Sequence, residues 1–170
     1  VIDGDVGELS TRAPSVVAAA LAVGVTAWLG VRMFTATAGC VAAMVLGSSV
    51  TFFVSATSAR VDMVLAAAIT IALASFYADC SGPRRGLGHG FHAAVTVAVL
   101  AKGPVGFVLP WVVVSVFLAV TRDREYVRLL RPLRAAGWLV LPAAWYAAAY
   151  TLAGDAFLAK QLVQENFQRL

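Results

Sequence analysis

Residues 87–120 read LGHGFHAAVTVAVLAKGPVGFVLPWVVVSVFLAV, and the way this run divides decides the fold. It is 34 residues long, and His89, His92 and Lys102 are its only ionisable side chains. As one helix at ~1.5 Å per residue it would extend about 51 Å, far beyond a hydrocarbon core of ~30 Å. Backbone chemistry supplies a break at Lys102-Gly103-Pro104. Pro has no amide hydrogen, Gly is a poor helix former, and the residue before Pro avoids helical geometry. Charge gives an independent test. Uncut, the run would put Arg84 and Arg85 across a membrane from Arg122, Arg124, Arg128, Arg131 and Arg134, against the tendency of basic loops to stay cytoplasmic. Cut at Lys102, both clusters face the cytoplasm.

Working outward, three more apolar runs precede this one, at about Pro14–Val31, Ala36–Thr57 and Met63–Ala78, and one follows at Ala135–Leu152. An amphipathic segment, Asp155–Leu170, comes last and is expected to lie in the membrane interface. The composition agrees: 61% of residues are hydrophobic and 13% charged, whereas soluble domains are about half apolar and about a quarter charged. A chain of 170 residues has too little interior to hide that excess, so lipid must be the solvent for much of it. The expected fold is all-α, a multi-spanning transmembrane bundle of about six apolar spans or half-spans. It forms one transmembrane domain over residues 1–170, closed by a C-terminal interfacial amphipathic helix. The chain opens Val1-Ile2-Asp3 without Met or a targeting leader, and reads as part of a longer protein.

The net charge of +4 does not point to nucleic acid, because no basic stripe with interleaved aromatics exists outside the inter-helix loops. Topology accounts for it. Eight basic residues fall on the cytoplasmic side (Arg32 and the two clusters above), and five on the outer side: Arg12, Arg60, Lys102, Lys160 and Arg169. The outer side also carries Asp3, Asp5, Glu8, Asp62, Asp155 and Glu165, so pairable charge concentrates there and any chemistry is expected there too. Cys40 and Cys80 have no paired spacing, and predict neither a disulfide nor a zinc site.

Ala59-Arg60-Val61-Asp62-Met63 sets a base and an acid two residues apart between the second and third spans. Ionisable groups at membrane depth line cavities or pair; a solvated loop with a surface ion pair, its Asp suited to a helix start, fits the same residues. Lys102 also admits two readings. The helix before it, Leu87–Ala101, covers only about 22 Å, which would seat the ammonium in a recess where it could hold a lipid phosphate. Alternatively it snorkels at a helix end. His89 and His92 lie near the cytoplasmic end and read as ordinary polar residues rather than metal ligands. Trp138, Trp145, Tyr146 and Tyr150 read mostly as interfacial anchors. Glu165 and Arg169, four residues apart, would support a helix modestly.

The order of these pieces resembles the core of the GT-C glycosyltransferases related to bacterial aminoarabinose transferases of lipid A and to protein O-mannosyltransferases. Arg12-Ala13-Pro14-Ser15 looks like that group's Arg-x-Pro-Ser at the start of a span, and Arg60-Val61-Asp62-Met63 like its Arg-[Thr/Val]-Asp-Met step. Ala101-Lys102-Gly103-Pro104 resembles the Thr-Lys-Gly-Pro turn with Ala for Thr, and Glu165-Asn166-Phe167-Gln168-Arg169-Leu170 the Glu-Asn-x-x-Arg-Phe segment with Leu for Phe. Four motifs in order, on one expected membrane side, cover essentially the whole chain.

The resemblance implies a bacterial inner-membrane enzyme whose active face is extracytoplasmic. Its donor would be a polyprenyl-phosphate-linked sugar, transferred with inversion by direct displacement, a carboxylate acting as base. The acceptor stays open among lipid A, another glycolipid, a cell-wall glycan and a protein. It further implies that Lys102 contacts the carrier phosphate, that Arg60 and Asp62 shape the polar cavity with Arg12 on the substrate side, and that Glu165, Asn166 and Arg169 close the site. The main catalytic acid of the group lies in an outer loop before the residues present here, so Asp62 is a candidate polar residue of the site and the fragment alone is expected to be inactive. No cofactor is called for, and a divalent metal is left open. A secondary transporter and a purely structural membrane module are the rival readings. The clustering of polar residues at one face and the lack of an inverted repeat count against the transporter.

Overall fold

The computed structural model describes residues 8–58, 60–81, 88–121 and 132–153, and every element among them is an α-helix. They are α1 (Glu8–Met33), α2 (Ala36–Ser48), α3 (Val50–Thr57), α4 (Val61–Ser81), α5 (His89–Lys102), α6 (Pro104–Thr121) and α7 (Pro132–Ala153). The chain forms two compact units, residues 1–70 and 71–170, and the division falls inside α4. The expected Asp155–Leu170 segment lies outside the described residues.

In the first unit, α1 starts at Glu8 and not at Pro14, which sits inside the helix near its N-terminal end. The run Ala36–Thr57, expected as one span, is instead two helices bent by 64° at Ser49. Ser49 takes extended geometry (φ −63°, ψ 122°), ending α2 and starting α3. The local cause is the cluster Gly47-Ser48-Ser49, a composition at which helices kink without proline. α1 and α2 meet backbone to backbone. A Cβ on Gly30 would lie 2.7 Å from the Cα of Gly39, and one on Gly39 would lie 2.5 Å from the Ala27 carbonyl oxygen. Small residues permit such close crossings where lipid removes the usual hydrophobic drive between helices. The core is correspondingly fine-grained: Ala18, Ala19 and Ala22 pack with Ala56, Met63 and Ala67. At the end of α1, the Arg32 guanidinium lies over the Trp28 ring, 5.7 Å from its centroid, a pairing suited to a snorkelling arginine.

The second unit is built around Phe91, fully buried, with Phe76, Val95 and Val114. Phe76 meets both Phe91 and Phe117 edge to face, at centroid distances of 6.0 and 5.7 Å, the arrangement the ring quadrupoles favour. The start of α5 is tied to the end of α4 by the Gly88 amide, which donates to Asp79 Oδ2 at 3.0 Å. Gly88 itself needs the left-handed backbone (φ 74°) that only glycine adopts freely. The break expected at Lys102-Gly103-Pro104 is present: α5 ends at Lys102, α6 begins at Pro104, and Gly103 turns the chain with φ 69° and ψ −139°.

Among the described residues, three helical segments, Ser10–Met33, Val61–Ser81 and Pro104–Thr121, are long and apolar enough to cross a membrane, and the bent α2–α3 pair makes a fourth if it is one span. Thus three or four of the roughly six expected apolar units qualify alone. α5, at 14 residues, covers about 21 Å and is a half-span. On α6, Val108, Val112, Val116 and Val120 all point outward. An exposed apolar stripe of this length suits a lipid environment. The protein is a multi-pass helical membrane protein.

Candidate functional site

The first two motifs meet in the first unit. Ser15, one turn after Arg12 on α1, is 97% buried, since only 3% of its surface remains exposed, and its hydroxyl donates to the Arg60 carbonyl oxygen at 3.1 Å. That bond joins the start of α1 to the residue that precedes α4. From there Arg60 Nε approaches Asp62 Oδ2 at 3.5 Å, with both side chains substantially exposed. Asp62 occupies the first turn of α4, where the helix dipole favours a carboxylate. Met63 turns the other way, 3% exposed, into the core with Ala18, Ala19 and Ala22. The Arg-x-Asp-Met step therefore has two functions in space: its Met anchors α4 against α1, and its Arg and Asp stay on the accessible rim. Arg12 is exposed on the same helix as Ser15.

In the second unit, Lys102 occupies the last turn of α5, half-buried. Its surroundings are fixed by glycine. Gly103 donates its amide to the Val99 carbonyl at 2.7 Å, and the Gly106 amide donates to the Gly103 carbonyl at 3.0 Å. Gly106 then touches the end of α5 so closely that a Cβ there would lie 2.3 Å from the carbonyl carbon and oxygen of Ala98. Lys-Gly-Pro-Val-Gly is thus a tight reversal in which Gly103 supplies the backbone geometry and Gly106 the clearance. The negative end of the α5 dipole suits the Lys102 ammonium, and two residues later the N-terminus of α6 presents its positive end.

α7 packs on α5 through polar contacts that sequence reasoning assigned mainly to interfacial anchoring. Trp138 Nε1 donates to His89 Nδ1 at 3.3 Å, the Thr96 hydroxyl shares its hydrogen between the His92 carbonyl of its own helix at 2.9 Å and the Trp138 carbonyl at 3.2 Å, and the Tyr146 hydroxyl donates to the Val99 carbonyl at 3.3 Å. Trp145 is largely exposed. His92 is buried against Trp111, with ring centroids 6.0 Å apart. Among the described residues, no three His, Cys, Asp or Glu side chains come together as metal ligands would. Glu165, Asn166 and Arg169 lie outside the described residues. Sequence reasoning missed Ser15 as a helix tie, Gly106 as a close approach, and Tyr146 as a partner of α5. Ser15 stood in the Arg-x-Pro-Ser motif without a role of its own, and Gly106 left a signal as a second glycine three residues after Gly103.

Comparison with family models supplies the deciding observation: residues 3–157 match dolichyl-phosphate-mannose-protein mannosyltransferase. The chain belongs to the dolichyl-phosphate-mannose-protein mannosyltransferase family. It is accordingly of a membrane glycosyltransferase kind, and the transporter and purely structural readings give way. The match spans three of the four motifs, those containing Arg12, Arg60 with Asp62, and Lys102, and stops before Glu165. No curated protein and no solved structure matches the chain.

Proposed function

We propose that this chain carries the donor side of a glycosyltransferase that takes a sugar from a polyprenyl-phosphate carrier, with Lys102 holding the carrier phosphate. The observation that carries the reading is the break between α5 and α6. There a lysine on a half-span of 14 residues stands beside the N-terminus of an 18-residue apolar helix. An ammonium and a helix N-terminus both favour an anion, and a half-span sets them in a recess beneath the headgroup layer, into which the phosphate of a carrier lipid can be drawn. The donor sugar is a hexose or a pentose, and mannose is the sugar printed in the family's description. Transfer takes place on the extracytoplasmic face of the plasma membrane, to a protein or to a lipid or glycan acceptor.

The reaction is a displacement. A carboxylate takes the proton of the acceptor hydroxyl, the freed oxygen attacks the anomeric carbon, and the bond to the phosphate oxygen breaks, its electron pair leaving on the polyprenyl phosphate. Lys102 stabilises the charge that grows on that phosphate. Arg12, Arg60 and Asp62 contribute the polar rim toward the substrate, with Asp62 a candidate proton acceptor or acceptor-binding group. Glu165, Asn166 and Arg169 belong to the same proposed substrate side.

The test is binding of decaprenyl phosphate to the natural full-length protein in detergent. A charge-assisted contact contributes about 1.5–3 kcal/mol, so Lys102→Ala should weaken binding by about 10- to 150-fold. Lys102→Arg should retain part of it, and Asp62→Asn should bind normally while transferring slowly. Equal binding by the wild type and Lys102→Ala overturns the reading.

A further inference from the structure

We propose that Tyr146 is a positioning residue for Lys102: its hydroxyl, reaching from α7, fixes the last turn of α5 and with it the stem of the lysine. The inference rests on the phosphate-binding role proposed above. Val99 lies three residues before Lys102, in the same final turn, and its carbonyl oxygen accepts from both the Gly103 amide at 2.7 Å and the Tyr146 hydroxyl at 3.3 Å. A carbonyl has two lone pairs and can satisfy both.

That turn needs outside support. The next bond of the helical ladder would come from Pro104 to the Leu100 carbonyl, and proline has no hydrogen to give. A helix end without its ladder frays. Two elements brace it instead. Gly106 of α6 bears on the Ala98 carbonyl, and Tyr146 of α7 holds the Val99 carbonyl in a part-buried contact. The Trp138 contacts to Thr96 and His89 run along the rest of α5, so α7 follows that helix and Tyr146 holds it in the turn before the break. A lysine on a fixed turn meets the phosphate without first being ordered, which is where preorganisation adds affinity.

The experiment is a double-mutant cycle on the natural full-length protein in detergent, comparing wild type, Tyr146→Phe, Lys102→Ala and the double variant. Decaprenyl phosphate is the ligand and decaprenol the control for the lipid tail. Tyr146→Phe should weaken phosphate-dependent binding by about 3- to 10-fold, the worth of one hydrogen bond. It should leave decaprenol binding unchanged and cause no further loss on top of Lys102→Ala. Addition of the two effects, or equal loss with decaprenol, means that Tyr146 is merely structural and overturns the inference. So does wild-type binding by Tyr146→Phe when Lys102→Ala has lost it, and in that case the phosphate role of Lys102 survives. Undiminished binding by Lys102→Ala removes the phosphate role itself, and this inference with it.

Discussion

Gly106→Ala should be among the most damaging single-methyl additions in the protein. The added Cβ would lie 2.3 Å from the Ala98 carbonyl carbon and oxygen and 2.7 Å from the Val99 nitrogen, where ordinary contact is 3.4–4 Å. All three obstacles are backbone, and Ala98 is fully buried, so no rotamer change relieves the clash. α6 must retreat from α5 by about 1 Å, a gap that forfeits up to half of each dispersion contact across the seam. We expect a loss of about 3 kcal/mol, the upper end for overpacking, or about 150-fold in the folded-to-unfolded ratio. The assay is unfolding of the full-length protein in mixed micelles as SDS is added. Gly24→Ala is the internal control: nothing lies within 4 Å of its Cβ position, in mid-helix. That substitution should stabilise by about 0.5–1 kcal/mol through helix propensity. The two variants therefore carry opposite signs. If Gly106→Ala unfolds no earlier than Gly24→Ala, the close α5–α6 approach is wrong, and with it the account of the Lys-Gly-Pro-Val-Gly reversal.

Ser15→Ala removes the hydroxyl that donates to the Arg60 carbonyl and should cost about 0.5–1.5 kcal/mol in the same SDS titration. Transfer should fall as well, because the Arg60–Asp62 rim loses its tie to α1; Ser15→Thr restoring activity would support that link. Gly39→Ala places a Cβ 2.5 Å from the Ala27 carbonyl oxygen and should destabilise by about 1–3 kcal/mol, read as a lower SDS midpoint. Topology can be read with cysteines. With Cys40 and Cys80 replaced by serine, Thr57→Cys should react with a membrane-impermeant maleimide on intact cells. Thr121→Cys should react only after permeabilisation, and the reverse pattern would invert the assignment of faces.

Much of the fold was legible because its causes are local. The end of α5 at Lys102 and the start of α6 at Pro104 follow from two residues whose backbone chemistry cannot continue a helix. The membrane character follows from run length and charge alone. Where the outcome depended on a neighbour, the sequence was silent or misleading. The bend at Ser49 divides a run whose hydropathy is continuous, and Gly47-Ser48-Ser49 was a weaker signal than a proline would have been. Tyr146 has the composition of an interfacial anchor, and only the path of α7 along α5 turns its hydroxyl toward Val99.

The candidate site divides in the same way. The residue types at Arg12, Arg60, Asp62 and Lys102 and their order were legible in the sequence, because charge in an apolar chain is costly and stands out where it is retained. Tertiary structure alone decided that Ser15 holds the backbone of Arg60, that Met63 buries itself under the Arg60–Asp62 rim, and that Gly106 presses on Ala98 beside Lys102. Each of these is a contact between segments distant or reversed in the chain, set by which surfaces two helices bring together, and no local propensity encodes that choice.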